Sequence, residues 1–142
     1  MAEAQIHEVL GASKEKLFKA VTQYEHYPQF VDGCKSVKVD RATPGRTRVT
    51  YNISMMKDIT YTLDHTEDLV SGLVTWSLVE SDAFKRNIGR WEIKEAGPEK
   101  SDVQYKVELD FKFMVPGFVL NKLVKGSLPS MLKSFEKRAR SL

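Results

Sequence analysis

The sequence predicts one α+β domain in which a curved antiparallel sheet of six or seven strands wraps around a long C-terminal helix. One or two short helices are expected after the first strand. Three observations support this fold class. Between residues 36 and 113, apolar and polar residues alternate at the period of a half-buried strand. Turn-forming residues interrupt the alternation roughly every ten residues, as in an antiparallel meander. After Pro116 the period becomes that of an amphipathic helix.

The N-terminal elements are predicted from local signals. Residues 3–10 form the first strand, and Ser13 can cap a following helix through its hydroxyl oxygen. Leu17, Phe18 and Val21 then fall on one helical face. A second short helical turn is expected around Pro28, because proline limits a helix or begins its next turn.

The C-terminal helix carries a long apolar stripe. Its members recur at helical spacing: Leu120, Leu123, Val124, Leu128, Met131, Leu132, Phe135 and Ala139. Pro129 interrupts the stripe, and an interior proline removes one backbone hydrogen bond and clashes with the preceding turn. We therefore expect a kink in residues 126–129.

Composition excludes several classes of function. The 142 residues are predicted to form one domain, residues 1–142, with a formal net charge of +3 that by itself does not indicate nucleic acid as a partner. A single cysteine, Cys34, cannot form an internal disulfide. The sequence shows neither a secretion signal nor an apolar run near the ~20 residues of a membrane span. It predicts a cytoplasmic protein with no DNA partner.

An apolar cavity follows from the predicted geometry. One helix cannot fill the space inside a strongly curved sheet when the aromatic side chains on its concave face are widely spaced. Tyrosine and tryptophan also need partners for their polar atoms, which favours a cavity with a few polar groups. The alternative is a core in which these side chains interdigitate at ordinary density. The inward-facing residues are predicted to be Tyr51, Ile53, Tyr61, Trp76, Leu78, Trp91, Tyr105, Leu109 and Phe111.

Three segments resemble a known superfamily. They are Tyr27-Pro-Gln-Phe-Val-Asp-Gly-Cys34, the run from Leu78 to Trp91 that contains Phe84-Lys85, and Glu108-Leu-Asp-Phe-Lys-Phe113. Together they are similar to the START-like or polyketide cyclase superfamily (SRPBCC), in the branch of coenzyme Q-binding proteins and the ribosome-association toxin. Two positions differ from that branch. Asp32 stands where the branch usually has proline, and Ser81-Asp82-Ala83 replaces the usual Gly-Pro before Phe84.

The resemblance implies a helix-grip fold with a deep cavity for a lipid or an isoprenoid quinone, which the protein would bind, transport or chaperone. By position, it adds Phe84 and Trp91 to the cavity and its support. It assigns the helical wall to Leu128, Met131, Leu132 and Phe135.

Two other functions stay open at this point. Lys85, Arg86 and Arg90 could dock on an acidic surface, either ribosomal RNA in a ribosome-associated regulator or the anionic inner face of a membrane. Alternatively, Tyr51, Tyr61 and Tyr105 could steer an enolate in an aromatic polyketide cyclase or dehydratase.

No catalytic residue, metal ligand or cofactor is assigned from the sequence, and enzymatic activity is left open. The spacing of His7, His26 and His65 fits no metal motif, so each is expected at the surface or a helix end. Cys34 is expected to be a buried small hydrophobic residue rather than a nucleophile.

Overall fold

A computed structural model describes residues 2–55 and 57–142, without the side chains of Ala42, Leu123 and Val124. The predicted places of Leu123 and Val124 in the helical stripe therefore lie outside the described side chains. The elements are β1 (Ala2–Leu10), α1 (Lys14–Thr22), a 3₁₀ turn (Tyr24–His26), α2 (Tyr27–Phe30), β2 (Cys34–Thr43), β3 (Arg46–Met55), β4 (Lys57–Asp68), β5 (Leu73–Ser81), β6 (Phe84–Gly97), β7 (Lys100–Phe111), α3 (Gly117–Val124) and α4 (Leu128–Arg140).

The sheet has seven strands in the order β1-β7-β6-β5-β4-β3-β2, and every neighbouring pair is antiparallel. This confirms the predicted α+β class and the antiparallel meander. The pairing of β6 with β7 shifts register between positions 84 and 86 of β6, and the pairing of β2 with β3 shifts register between positions 40 and 43 of β2. Such irregularities bend strands, which helps a sheet to curve around a helix.

The first strand and helix agree with their sequence signals. The Ser13 hydroxyl oxygen accepts a hydrogen bond from the Lys16 backbone N–H at 3.3 Å, which caps α1. Leu17 and Val21 are fully buried on the inner face of that helix. The Glu136 carboxylate accepts a hydrogen bond of 2.6 Å from the Gly11 N–H, so α4 is tied to the chain between β1 and α1.

The helix gripped by the sheet is α4. Its buried residues Leu128, Leu132, Phe135 and Ala139 form one stripe, as the helical period predicts. The Phe135 ring lies 4.9 Å from that of Trp91 and 5.4 Å from that of Tyr27, measured between centroids. Phe135 therefore joins the helix to both the sheet and α2 through edge-on aromatic contacts.

The C-terminal stripe is two helices and not one kinked helix. Residues 125–127 separate α3 from α4, and Pro129 lies in the first turn of α4. The first turn of a helix tolerates proline, because backbone N–H groups there have no intrahelical acceptor. Pro129 thus begins a new helix where an interior kink was expected. Within the described residues, no helix is long and apolar enough to cross a bilayer.

Candidate functional site

A cavity of about 230 Å³ lies between the concave face of the sheet, α2 and α4. Ligand pockets typically measure about 300–1,000 Å³, so this one has room for a ring rather than for a long folded chain. Most of the predicted residues line it: Tyr51, Ile53, Tyr61, Trp76, Phe84, Trp91, Tyr105, Leu109, Leu128, Met131 and Phe135. That these side chains hold a ligand stays a prediction.

Three predicted residues lie outside the cavity wall. Leu132 is fully buried in the same helical stripe as Leu128 and Phe135, but it does not line the cavity. Leu78 is half-buried and pairs with Leu63, next to the register shift between β4 and β5. Phe111 contacts the Phe84 ring at 4.9 Å and lines a separate cavity of about 180 Å³ beneath α3.

Several wall residues were not predicted as site residues. Leu63 and Val107 continue the inward alternation of Tyr61 and Leu109, so the strand period could have identified them. The others are Tyr27, Val31, Asp32, Gly33, Cys34, Ser54, His65, Asn87 and Ser127. Cys34 is buried, as expected.

The cavity opens at one end of the sheet. Among its wall residues, Asp32, Gly33, Ser54 and Ser127 are exposed, and together they form the mouth. Gly33 has a φ of 81°, a conformation that glycine adopts without strain. Its carbonyl accepts a 2.7 Å hydrogen bond from the Ser54 N–H, which fixes the rim against β3.

His65 is buried, so the prediction of a surface or helix-end position was wrong for this residue. It continues the inner face of β4 after Tyr61 and Leu63. Its Nε2 lies 2.8 Å from the Tyr51 hydroxyl, and its ring stacks on Tyr24 at 4.4 Å. Burial lowers the pKa of His65 to about 3, so the imidazole is neutral at pH 7.

A second layer of hydrogen bonds supports this histidine from behind. The Tyr24 hydroxyl donates to the Glu67 carboxylate at 2.6 Å, and the Thr47 hydroxyl donates to the same group at 3.0 Å. Burial raises the pKa of Tyr24 above its ordinary value, so its phenol stays protonated. His65 Nδ1 has no hydrogen-bond partner among the described residues.

Replacing His65 by glutamine should change the pH dependence of stability. Below its ordinary pKa of 6.5 the unfolded chain takes up a proton, whereas folded His65 stays neutral down to about 3. Stability therefore falls as pH falls through this window, by up to about 1.4 kcal/mol per pH unit. Urea unfolding between about pH 7 and pH 4 should show the wild type losing its advantage over His65→Gln. A constant difference between the two proteins would contradict the buried, neutral histidine.

The cavity also presents unpaired hydrogen-bond donors. Tyr61 and Tyr105 line the cavity, and neither hydroxyl makes a hydrogen bond to another of the described residues. The Asn87 carbonyl oxygen accepts from Trp76 Nε1 at 3.0 Å, and this is the one side-chain hydrogen bond of Asn87 to the described residues. Burial raises the pKa values of Tyr61 and Tyr105, so both phenols stay protonated and can donate.

The wall carries almost no charge. Within the described part of the chain, Asp32 at the mouth is its only acidic residue, and neither lysine nor arginine lines it. Burial raises the pKa of the Cys34 thiol, which favours the protonated form over a reactive thiolate. No group of three or more His, Cys, Asp or Glu side chains among the described residues could hold a metal ion.

The basic residues predicted for docking lie on the outer face of the sheet. Lys85, Arg86 and Arg90 are exposed on β6, away from the cavity wall. Arg86 pairs with Glu108 at 3.5 Å. Because an acidic residue lies beside this group, the face is of mixed charge rather than uniformly basic.

The sequence matches a known protein family. Residues 10–136 match the family described as polyketide cyclase/dehydrase and lipid transport. The ribosome association toxin RatA of Escherichia coli K12 is 22% identical over 130 residues, which cover 92% of this chain and 82% of that protein.

Solved structures share the fold. A START superfamily protein from Mycobacterium smegmatis has a TM-score of 0.83 at 19% identity, covering 98% of this chain and 97% of the other. The Zhui aromatase/cyclase from Streptomyces sp. R1128 has a TM-score of 0.72 at 13% identity, covering 99% of this chain and 87% of the other. Since the family match spans most of the chain, this protein belongs to the polyketide cyclase/dehydrase and lipid transport family.

Proposed function

We propose that this protein binds a small, neutral, hydrophobic ring compound in its cavity, and that the ring of an isoprenoid quinone is the best fit. One observation carries the proposal: a ring-lined cavity without lysine or arginine among its described wall residues contains Tyr61, Tyr105 and Asn87, whose hydroxyl and amide groups can donate hydrogen bonds to a ligand. A quinone ring is flat, apolar on its faces and ends in two carbonyl acceptors. It would stack among the aromatic side chains while its oxygens accept from these donors.

Other lipids fit the same wall less well. A fatty acid would bring a carboxylate into a cavity without a lysine or arginine among its described wall residues. A plain acyl chain would leave the phenol and amide donors unpaired, which costs about 1–3 kcal/mol for each buried group. A quinone's isoprenoid tail is too long for about 230 Å³ and would leave through the mouth.

The proposed role is that of a carrier or chaperone in the cytoplasm or at the inner face of a membrane. The apolar wall shields most of the ring from water, and the mouth provides its exit. A cyclase or dehydratase is supported less well, because the Tyr51 hydroxyl is held by His65 and the phenols of Tyr61 and Tyr105 are protonated. They can donate a hydrogen bond, but they are not bases at neutral pH.

Removing the hydroxyls of Tyr61 and Tyr105 should weaken the binding of a quinone, whose oxygens accept hydrogen bonds, but not the binding of a similar ring without oxygens. Calorimetric titration with a short-chain benzoquinone should show that the double variant Tyr61→Phe, Tyr105→Phe binds at least roughly tenfold more weakly than the wild type, because two hydrogen bonds are lost. Binding of p-xylene, a similar ring without oxygens, should be nearly unchanged. Ser77→Ala is the control, because it removes an exposed hydroxyl on β5 outside the cavity wall.

Two outcomes would count against the proposal. Equal benzoquinone affinity in the double variant would remove the role of the phenols. If the wild-type protein bound neither benzoquinone nor p-xylene, the cavity would not be a site for neutral rings.

A ribosome-associated regulator is the second candidate, and the similarity to RatA over most of both chains favours it. Co-sedimentation with large ribosomal subunits at low salt tests it. Reversing the charges of Lys85, Arg86 and Arg90 should abolish the association if these residues contact ribosomal RNA. Failure of the wild type to sediment with the subunits would exclude this function.

A further inference from the structure

The segment of residues 112–125, which links β7 to α4 and contains α3, exposes large apolar side chains. Met114 is 94% and Phe118 is 79% exposed, and they lie four residues apart. Single exposed apolar residues are common, but two large ones in one short segment form a candidate interaction surface. We call residues 112–125 the apical segment.

The charged residues within the apical segment itself are all basic. No Asp or Glu occurs between Asp110 and Glu136, whereas this stretch contains Lys112, Lys122, Lys125 and Lys133. Lys122 and Lys125 are exposed within the segment itself. Glu3 lies beside Lys125 and Asp110 lies beside Phe113, but the segment itself combines exposed apolar side chains with lysines alone, which is complementary to an anionic lipid surface.

The apical segment lies at the same end of the sheet as the cavity mouth. The Lys57 amine, at the start of β4, lies 4.3 Å from the centre of the Phe113 ring. Ser54, which lines the mouth, pairs with Asp58 of the same β3–β4 hairpin. Ser127, another mouth residue, lies two residues after the end of the segment. A surface that contacts the segment would therefore lie beside the mouth.

The packing beneath α3 is incomplete. A cavity of about 180 Å³ lies there, lined in part by Phe113, Val115 and Leu120. Among the described side chains of α3, none is fully buried. Few buried contacts hold this helix, so it can shift at low cost compared with α4, whose apolar stripe is buried.

We propose that the apical segment docks onto an anionic lipid bilayer, with Met114 and Phe118 entering the interface and the neighbouring lysines contacting the headgroups. The docking rests on the surface alone; its purpose, passage of a hydrophobic ring between bilayer and mouth, rests on the proposed function. A bilayer explains the observations better than RNA does, because the exposed apolar pair consists of one methionine and one phenylalanine and so offers no row of aromatic rings for base stacking.

Vesicle flotation tests the docking. Vesicles of about equal parts phosphatidylcholine and phosphatidylglycerol should carry the wild-type protein, and vesicles of phosphatidylcholine alone should not. The double variant Met114→Asp, Phe118→Asp should lower binding at least tenfold. Lys122→Gln and Lys125→Gln should each lower it roughly fivefold, and added salt should weaken it further.

Val70→Asp is the matched control. Val70 is 90% exposed but follows the end of β4, at the opposite end of the sheet from Lys57, and its variant should bind the vesicles like the wild type. Failure of the wild type to float with anionic vesicles, or equal losses from Val70→Asp and the apical variants, would overturn the proposal.

Two further readings separate the docking from the ligand site. The apical double variant should keep its benzoquinone affinity in solution, since neither residue lines the cavity. A protein that floats but binds no ring keeps the docking and loses the proposed ligand. Association with large ribosomal subunits that depends on Met114 and Phe118, without vesicle binding, would instead assign this surface to the ribosome.

Discussion

Replacing Val107 by phenylalanine is expected to weaken ring binding about a hundredfold or more, the largest effect on binding that the structure predicts. Val107 is buried on the inner face of β7, opposite Gly89 of β6, and lines the cavity. The added ring would point into a space of about 230 Å³ and occupy much of the volume that a ligand ring needs. Because the cavity can receive the new side chain, any overpacking should cost no more than about 1–3 kcal/mol.

Tryptophan fluorescence provides the measurement. The chain has two tryptophans, Trp76 and Trp91, and both line the cavity at 8% and 3% exposure. A short-chain benzoquinone should quench the wild type saturably and Val107→Phe only weakly. Val79→Phe makes the same change at an exposed position on β5 and should behave like the wild type. Saturable quenching of equal affinity in Val107→Phe would place the ligand outside this cavity.

Replacing Gly89 by alanine should destabilise the fold by about 3 kcal/mol. A β-carbon at this position would lie 2.2 Å from Trp76 Cζ2 and 2.4 Å from the backbone oxygen of Lys106. The Lys106 carbonyl cannot retreat without disturbing the β6–β7 pairing, and Trp76 cannot move without losing its hydrogen bond to Asn87. The change therefore strains both the sheet and the cavity wall.

Gly117→Ala is the control for this substitution. Gly117 begins α3, and a β-carbon there meets nothing within 4 Å. Alanine favours helix more than glycine does, so this variant should be as stable as the wild type or slightly more stable. Urea unfolding compares the two variants directly. Stability of Gly89→Ala equal to that of Gly117→Ala would show that the indole of Trp76 is not fixed where the structure places it.

The strand period was sufficient to predict much of the fold and of the cavity wall. Tyr51, Tyr61 and Tyr105 lie on three different strands, and alternation placed each on the inner face. This works because an antiparallel sheet with one apolar face repeats the same pattern along every strand. Helical spacing similarly identified Leu128 and Phe135.

Other features depend on partners that are distant in sequence. His65 and Asn87 are polar, and only the hydroxyl of Tyr51 and the indole of Trp76 make their burial acceptable. Nothing in the sequence distinguishes Gly89 from other strand glycines, because its close contact with Trp76 of β5 forms only in the folded sheet. In the sequence, Pro129 is compatible both with a kink inside one helix and with the first turn of a new helix. The structure has the second arrangement, because residues 125–127 separate α3 from α4.

Intermolecular nuclear Overhauser effects between a short-chain benzoquinone and methyl-labelled protein test most directly whether the cavity holds a neutral ring. The ring protons should show contacts to the methyl groups of Met131, Val107 and Leu109, which line the cavity from α4 and β7. Contacts confined to exposed methyl groups such as those of Val70, or no saturable contacts at all, would contradict an internal binding site.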